Sequence, residues 1–163
     1  MVGATTWIGW QVAGSYSRRL RDLRALQSAL AVLQTEIEFC AAPLPDALTA
    51  AGQAVGGVIG ELLARTAGNL IAGGGITPGE ALIDAVGEFS GTTSLKQSDW
   101  EILLALAPVL GASDRGDQVR HLRLAAQRLE AAEAQASEER QRYEKLARYA
   151  GVLTGFALVL ILF

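Results

Sequence analysis

The sequence predicts an all-α protein: a small bundle of about six helices whose long last helix continues into a C-terminal membrane segment. Three observations predict it. Leucines and other apolar residues recur at three- and four-residue intervals over several stretches. Alanine and leucine dominate, and β-branched runs flanked by turn signals are absent. The last fourteen residues, 150–163, carry no charge and a single polar side chain, Thr154. With 163 residues, half of them hydrophobic, the chain holds one domain plus appendages rather than two domains.

Residues 1–17 carry no charge and include Trp7, Ile8, Trp10, Val12 and Tyr16; Arg18, Arg19, Arg21 and Arg24 follow at once. A signal peptide carries its positive charges before the apolar stretch, so cleavage and export are disfavoured. An amino-terminal anchor with aromatic residues near the interface fits the order better. Thr5, Thr6 and Gln11 weaken it, and about seventeen residues is the lower limit for a span. A start upstream of Met1, or a helix lying in the interface, are the alternatives.

The first helix of the bundle is predicted from about Tyr16 to Cys40, with Leu20, Leu23, Leu26, Leu30, Leu33 and Ile37 forming its apolar stripe. Pro43 and Pro45 stop it and open a short second helix, Asp46 to about Ala51, with Gly52 as its stop. Gly56, Gly57 and Gly60 each cost roughly 1 kcal/mol relative to alanine in a helix. A third helix, Val58 to Ala72, therefore depends on packing by Ile59, Leu62, Leu63 and Leu70. Gly73, Gly74 and Gly75 break it. No Gly-Lys-Ser/Thr follows and no strand precedes, so this triplet is a helix-to-helix turn and not a phosphate loop.

Thr77, Pro78 and Glu80 form a capping box that starts a fourth helix, running through Ala81, Leu82, Ala85 and Val86 to Phe89. Residues 90–95 are loop. Ser98 to Glu101 reads as a second capping box, opening a fifth helix to Leu110 that Gly111 ends. Residues 43–48 echo residues 77–82, two similarly built helix entries within one bundle. The sixth helix starts at Asp114, its N-cap, and its seam takes Val119, Leu122, Ala126 and Leu129. Glu133, Ala136 and Arg140 come next, so core contact is expected to fade near residue 130. Strong helix formers follow, with Glu138–Arg142 and Glu144–Arg148 at i,i+4. An uninterrupted helix over 115–163 would be roughly 70 Å long. Its last fourteen residues cover roughly 21 Å against a ~30 Å hydrocarbon core, a gap that interfacial Tyr149 and local thinning partly close.

The expected organisation is an anchor over 1–17, a cytoplasmic helix bundle over 18–130, a helical stalk over 131–148 and a membrane segment over 149–163. Arg18, Arg19, Arg21 and Arg24 at one edge, and Arg140, Arg142, Lys145 and Arg148 at the other, are expected to flank lipid. Positive residues beside membrane segments stay cytoplasmic, so residues 18–148 face the cytosol.

Net charge −3 gives no general attraction to nucleic acid. The single His121, the single Cys40 and the lack of HExxH or CxxC argue against a metal site. His121 reads as a polar flank of its helix, and Cys40 as a small buried hydrophobe. Asp114 and Gln118, one turn apart, serve either local capping and hydrogen bonding or a partner contact. No catalytic, cofactor or metal site and no small-molecule substrate is expected, and the chain reads as a scaffold rather than an enzyme.

The run from Trp100 through Leu110-Gly-Ala-Ser-Asp114 to Gln118-Val-Arg-His-Leu122, followed by a charged helix ending Arg142-Tyr-Glu-Lys-Leu-Ala-Arg-Tyr149, Gly151 to Gly155 and an apolar tail, resembles the stage III sporulation protein AB family. Leu33-Gln-Thr-Glu-Ile-Glu38 and Pro43 to Leu48 agree more loosely. The likeness covers nearly the whole chain; the shorter, more polar amino-terminal segment and the glycine-rich 52–75 region depart from it. The cytoplasmic part of that family is similar to the helical domain of the type II secretion and type IV pilus inner-membrane platform protein F. The resemblance implies a platform subunit of the secretion-like channel between mother cell and forespore. It implies the outer forespore membrane as location, with the bundle in the mother-cell cytoplasm. Implied partners are the sporulation AA-type secretion ATPase and the other membrane proteins of the same operon, and homo-oligomers are left open. Two alternatives remain: a platform subunit of a general type II secretion or pilus system, and a membrane-anchored signalling bundle.

Overall fold

The predicted leucine stripe is the buried face of the first helix, α1 (Val2–Glu38). The computed structural model describes the backbone of residues 2–162 and the side chains of 17–143, 145, 146, 149 and 150. Five more α-helices follow among the described residues: α2 (Leu44–Val55), α3 (Gly57–Ala72), α4 (Pro78–Phe89), α5 (Gln97–Leu104) and α6 (Arg115–Leu162), with a 3-10 turn at Ser90–Thr92 and no strand. Each helix packs on its neighbour in sequence, and α6 closes the ring by lying along α1. Leu23, Leu26, Leu48, Ile59, Leu62, Leu82, Leu122 and Leu129 fill the centre.

The start of α4 is built as the sequence predicts. Thr77 Oγ1 accepts from the Glu80 N–H, and the Glu80 carboxylate accepts from the Thr77 N–H at 2.8 Å. Pro78 sits where its missing N–H is no loss.

Two glycines act differently from expectation. Gly52 does not stop α2, which runs on to Val55 and ends at Gly56, φ +61°. Gly52 instead lets α2 meet α3: a Cβ there would lie 2.8 Å from the Gly60 carbonyl oxygen, and one on Gly60 2.5 Å from that of Gly52. The cost of glycine in each helix is offset by a backbone approach that no side chain would allow.

α5 also departs. It starts after Lys96, and the Asp99 carboxylate accepts from the Lys96 N–H at 2.9 Å, so the cap is not the Ser98–Glu101 box. It ends at Leu104 rather than Leu110. Pro108 explains this, because its ring conflicts with the carbonyl four residues back and it has no N–H to give. Turns carry Leu106, Ala107 and Leu110 into the core instead, and Gly111 (φ +73°) reverses the chain.

In α6 the seam takes Val119, Leu122, Ala125 and Leu129, with Ala126 only partly buried. It does not fade near residue 130: Ala132 is half-buried and Ala136 fully buried. Cys40 is exposed beside Phe39, which is 76% exposed, so the expectation of a buried thiol fails. The α1 helix ends at Glu38, and Ala41 takes a left-handed φ of +53° to turn the chain outside the core. Among the described residues no helix is long and apolar enough to cross a membrane. The membrane segments expected at 1–17 and 149–163 fall almost wholly outside the described side chains.

Candidate functional site: a charged seam between the first and last helices

The α1 and α6 helices run antiparallel, and charged side chains bridge them at three levels. At the first, Arg19 meets Asp99 of α5 with Nε–Oδ2 at 2.8 Å and Nη2–Oδ1 at 2.9 Å, and reaches Glu139 of α6 at 3.4 Å. Arg19 is 4% exposed and Asp99 1%, so this two-pronged pair is inside the protein. Lys96 closes the cluster by donating to both Glu139 oxygens, at 3.1 and 2.9 Å. At the second level Glu133 accepts from Arg24 at 2.6 Å and from Gln27 at 2.9 Å. At the third, Arg123 approaches Glu38 at 3.8 Å, while Gln34 donates to Glu38.

The hydrogen bond from Lys96, helped by the charges of Lys96 and Arg19, holds the Glu139 carboxyl below the usual carboxylate range against partial burial. The bonds from Arg24 and then Gln27 do the same for Glu133. Both carboxylates therefore stay ionised well into mild acid. One short helix, α5, is thereby tied to both long ones: Asp99 caps α5 and grips α1, while Lys96 grips α6. The arrangement is mechanical, a clamp that fixes how α1 and α6 lie side by side. Among the described residues no group of three His, Cys, Asp or Glu side chains could hold a metal ion.

Arg19 is thus a correction to the expected lipid-flanking set, because its guanidinium is taken by Asp99 within the bundle. Arg24, although exposed, is engaged by Glu133. Arg18 and Arg21 are exposed and line a cleft with Asp22, Gly56, Gly57 and Thr93. Arg140, Arg142 and Lys145 are exposed on α6, and Arg148 lies outside the described side chains. Asp114 is exposed just ahead of α6, and its carbonyl accepts from the Gln118 N–H at 3.0 Å; the Gln118 side chain donates to the Ser113 carbonyl at 2.9 Å, so the bonds of this pair are local ones at the helix start. His121 is half-buried, with Nδ1 2.9 Å from the Asp117 carbonyl oxygen.

Sequence reasoning missed Asp99, Lys96, Glu133 and Glu139 as a set. A signal existed for Arg19, which sits four residues before Leu23 and seven before Leu26, on the buried face of the helix. Nothing local marks its partner, eighty positions away.

The family model for stage III sporulation protein AB matches residues 1–163. A stage III sporulation protein AB of Bacillus subtilis (strain 168) is 34% identical over 164 residues, spanning 99% of this chain and 94% of that protein. A solved structure of stage III sporulation protein AB (SpoIIIAB) superposes with a TM-score of 0.70 at 30% identity, covering 76% of this chain and 97% of that one. Matched over its whole length by the family model and over 99% of it by a relative of this similarity, the chain belongs to the stage III sporulation protein AB family.

Proposed function

We propose that this chain is a non-enzymatic platform subunit of a secretion-like channel between mother cell and forespore. In this reading it docks an ATPase and other membrane components. Residues 1–17 and 149–163 anchor it to one membrane, the outer forespore membrane, and residues 18–148 face the mother-cell cytoplasm, with 131–148 leading down to the lipid. The observation that supports this best is the antiparallel pairing of Arg19 with Glu139 and Arg24 with Glu133. That register carries the amino-terminal end of α1 and the carboxyl-terminal end of α6 off the same end of the bundle. The two apolar stretches, each edged by basic residues, then address one membrane, and the opposite end is left for partners. The exposed Arg18 and Arg21, with Arg140, Arg142 and Lys145, supply positive charge at that edge, each worth about 1 kcal/mol at an anionic surface.

Affinity capture of the detergent-solubilised full chain from sporulating cells tests the proposal. Recovery of the sporulation secretion ATPase supports it. Recovery of a pilus or type II secretion ATPase instead would favour a general platform, and turnover on a common substrate would revive an enzyme.

A further inference from the structure

Two helix faces in this bundle are complementary to each other but point into solvent. On α4 the buried residues are Gly79, Ala81, Leu82, Ala85 and Val86, which leaves Glu80, Ile83, Asp84, Gly87 and Glu88 along the outer face. On α6 the buried residues Val119, Leu122, Ala125 and Leu129 leave Arg120, Arg123, Leu124, Gln127 and Arg128 outside. Each face spans two turns and carries one large aliphatic side chain at its middle, Ile83 at 52% exposure and Leu124 at 44%. Around Ile83 stand three carboxylates; around Leu124 stand three guanidiniums. Gly87 leaves open space on the acidic face, where a helix could approach closely. Leu124 lines an open hollow of ≈ 440 Å³ with Arg120, His121, Arg123 and Gln127, ample for an isoleucine side chain. The ion pairs these groups make within the chain (Glu88 with Arg65, Arg120 with Asp117, Arg123 with Glu38) are exposed and easily exchanged.

We propose that the outer face of α4 is a docking surface for the outer face of α6 of a second copy of this chain. The heights of the two faces support this. Pro78, at the head of α4, packs against Gly111, and Gly111 shares a cleft with Arg115 and Gln118 at the head of α6. Both helices then descend towards the level where Ser94 donates to Asp22 and Lys96 pairs with Glu139. They run the same way, and Glu80 and Glu88, like Arg120 and Arg128, stand eight residues apart, roughly 12 Å along the helix axis. Two copies standing on one membrane share that direction. The acidic face of one then meets the basic face of the other in register, with Ile83 against Leu124 between the charge pairs. This shared orientation rests on the proposed membrane attachment; the match of the faces does not. Two turns against two turns bury less than the ~1,200 Å² typical of stable soluble complexes, so the contact depends on copies concentrated in a bilayer.

The test is disulfide trapping of the full chain in liposomes, in a Cys40→Ser background. Ile83→Cys and Leu124→Cys proteins are reconstituted separately and as a mixture, then oxidised. The mixture should give a cross-linked dimer while each variant alone stays near background. Raising salt from 0.1 to 1 M shortens screening from ~10 to ~3 Å and should lower the yield. Reversing Glu80 and Glu88 to lysine should cut it about tenfold, and pairing that variant with Arg120→Glu/Arg128→Glu should restore it. Equal cross-linking of either single variant with itself, or a mixture no better than background, overturns the inference. Circular dichroism confirms that each variant is folded. Flotation of the same liposomes separates the two ideas: protein that floats without cross-linking refutes this contact alone, and protein that fails to float refutes membrane attachment.

Discussion

Replacing Asp99 by alanine leaves the Arg19 guanidinium inside the bundle without its two-pronged acceptor, and removes the carboxylate that accepts from the Lys96 N–H. An uncompensated buried charge costs about 3–5 kcal/mol, and the lost helix cap adds roughly 1 kcal/mol. The contact of Arg19 with Glu139, 3.4 Å away and shared with Lys96, recovers only part of this. Native domains hold about 5–15 kcal/mol in total, so Asp99→Ala should remove a large fraction of the stability. The double variant Arg19→Met/Asp99→Leu should behave differently. Replacing both charges with apolar side chains of similar volume is often neutral or stabilising, so the double should regain most of the loss and retain only the cap deficit. The assay is urea unfolding of the full chain in mild detergent, followed by circular dichroism, with the two single variants and the double forming a cycle. An Asp99→Ala protein within about 0.5 kcal/mol of the parent would refute the reasoning, since that is the range of ordinary surface changes.

The remaining predictions concern backbone contact, acid and thiol access. Gly60→Ala drives a Cβ into the Gly52 carbonyl and should destabilise by about 1–3 kcal/mol, whereas Gly68→Ala, with open space around it, should stabilise by about 0.5–1 kcal/mol; equal melting shifts would contradict the close α2–α3 crossing. Because the Glu133 and Glu139 carboxyls are held below the usual carboxylate range, their contribution is complete at neutral pH. It is lost as pH falls from that range through their lowered folded values. Glu133→Gln should therefore flatten the acid limb of a stability–pH profile, and an unchanged limb would contradict the seam. Cys40 should react with a bulky maleimide without unfolding, and faster as pH rises, because the nearby Glu36 charge pushes its thiol up; protection of the thiol would contradict its exposed position.

Much of this fold is readable from local chemistry. The α4 cap needs only Thr77, Pro78 and Glu80 within four positions, and the α1 stripe needs only spacing. The helices expected from periodicity are all present. What escapes local reading depends on residues far apart in the chain. Gly52 looks like a stop until Gly60 is known to cross it, and the same missing side chain serves either role. Pro108 carries its own signal, since no helix continues cleanly through it, yet Leu103, Leu104 and Leu106 outweigh it on pattern alone. The charged seam was the hardest part. Glu133 and Glu139 sit among alanines, glutamates and arginines that resemble a solvated helix, and only the neighbouring α1 shows that this stretch is covered. Arg19 shows the reverse: its place in a basic run points to lipid, while its helical phase puts it on the buried face.

The most direct measurement is accessibility of single cysteines placed at Thr6 and Thr154, with native Cys40 as reference in the parent and replaced by serine in the two reporters. The full chain is reconstituted into liposomes and treated with a membrane-impermeant thiol reagent. The account predicts that the reagent labels Cys40 and spares both introduced thiols until detergent is added. Prompt labelling of both, on protein that does not float with lipid, would contradict a bundle held to one membrane at its two ends.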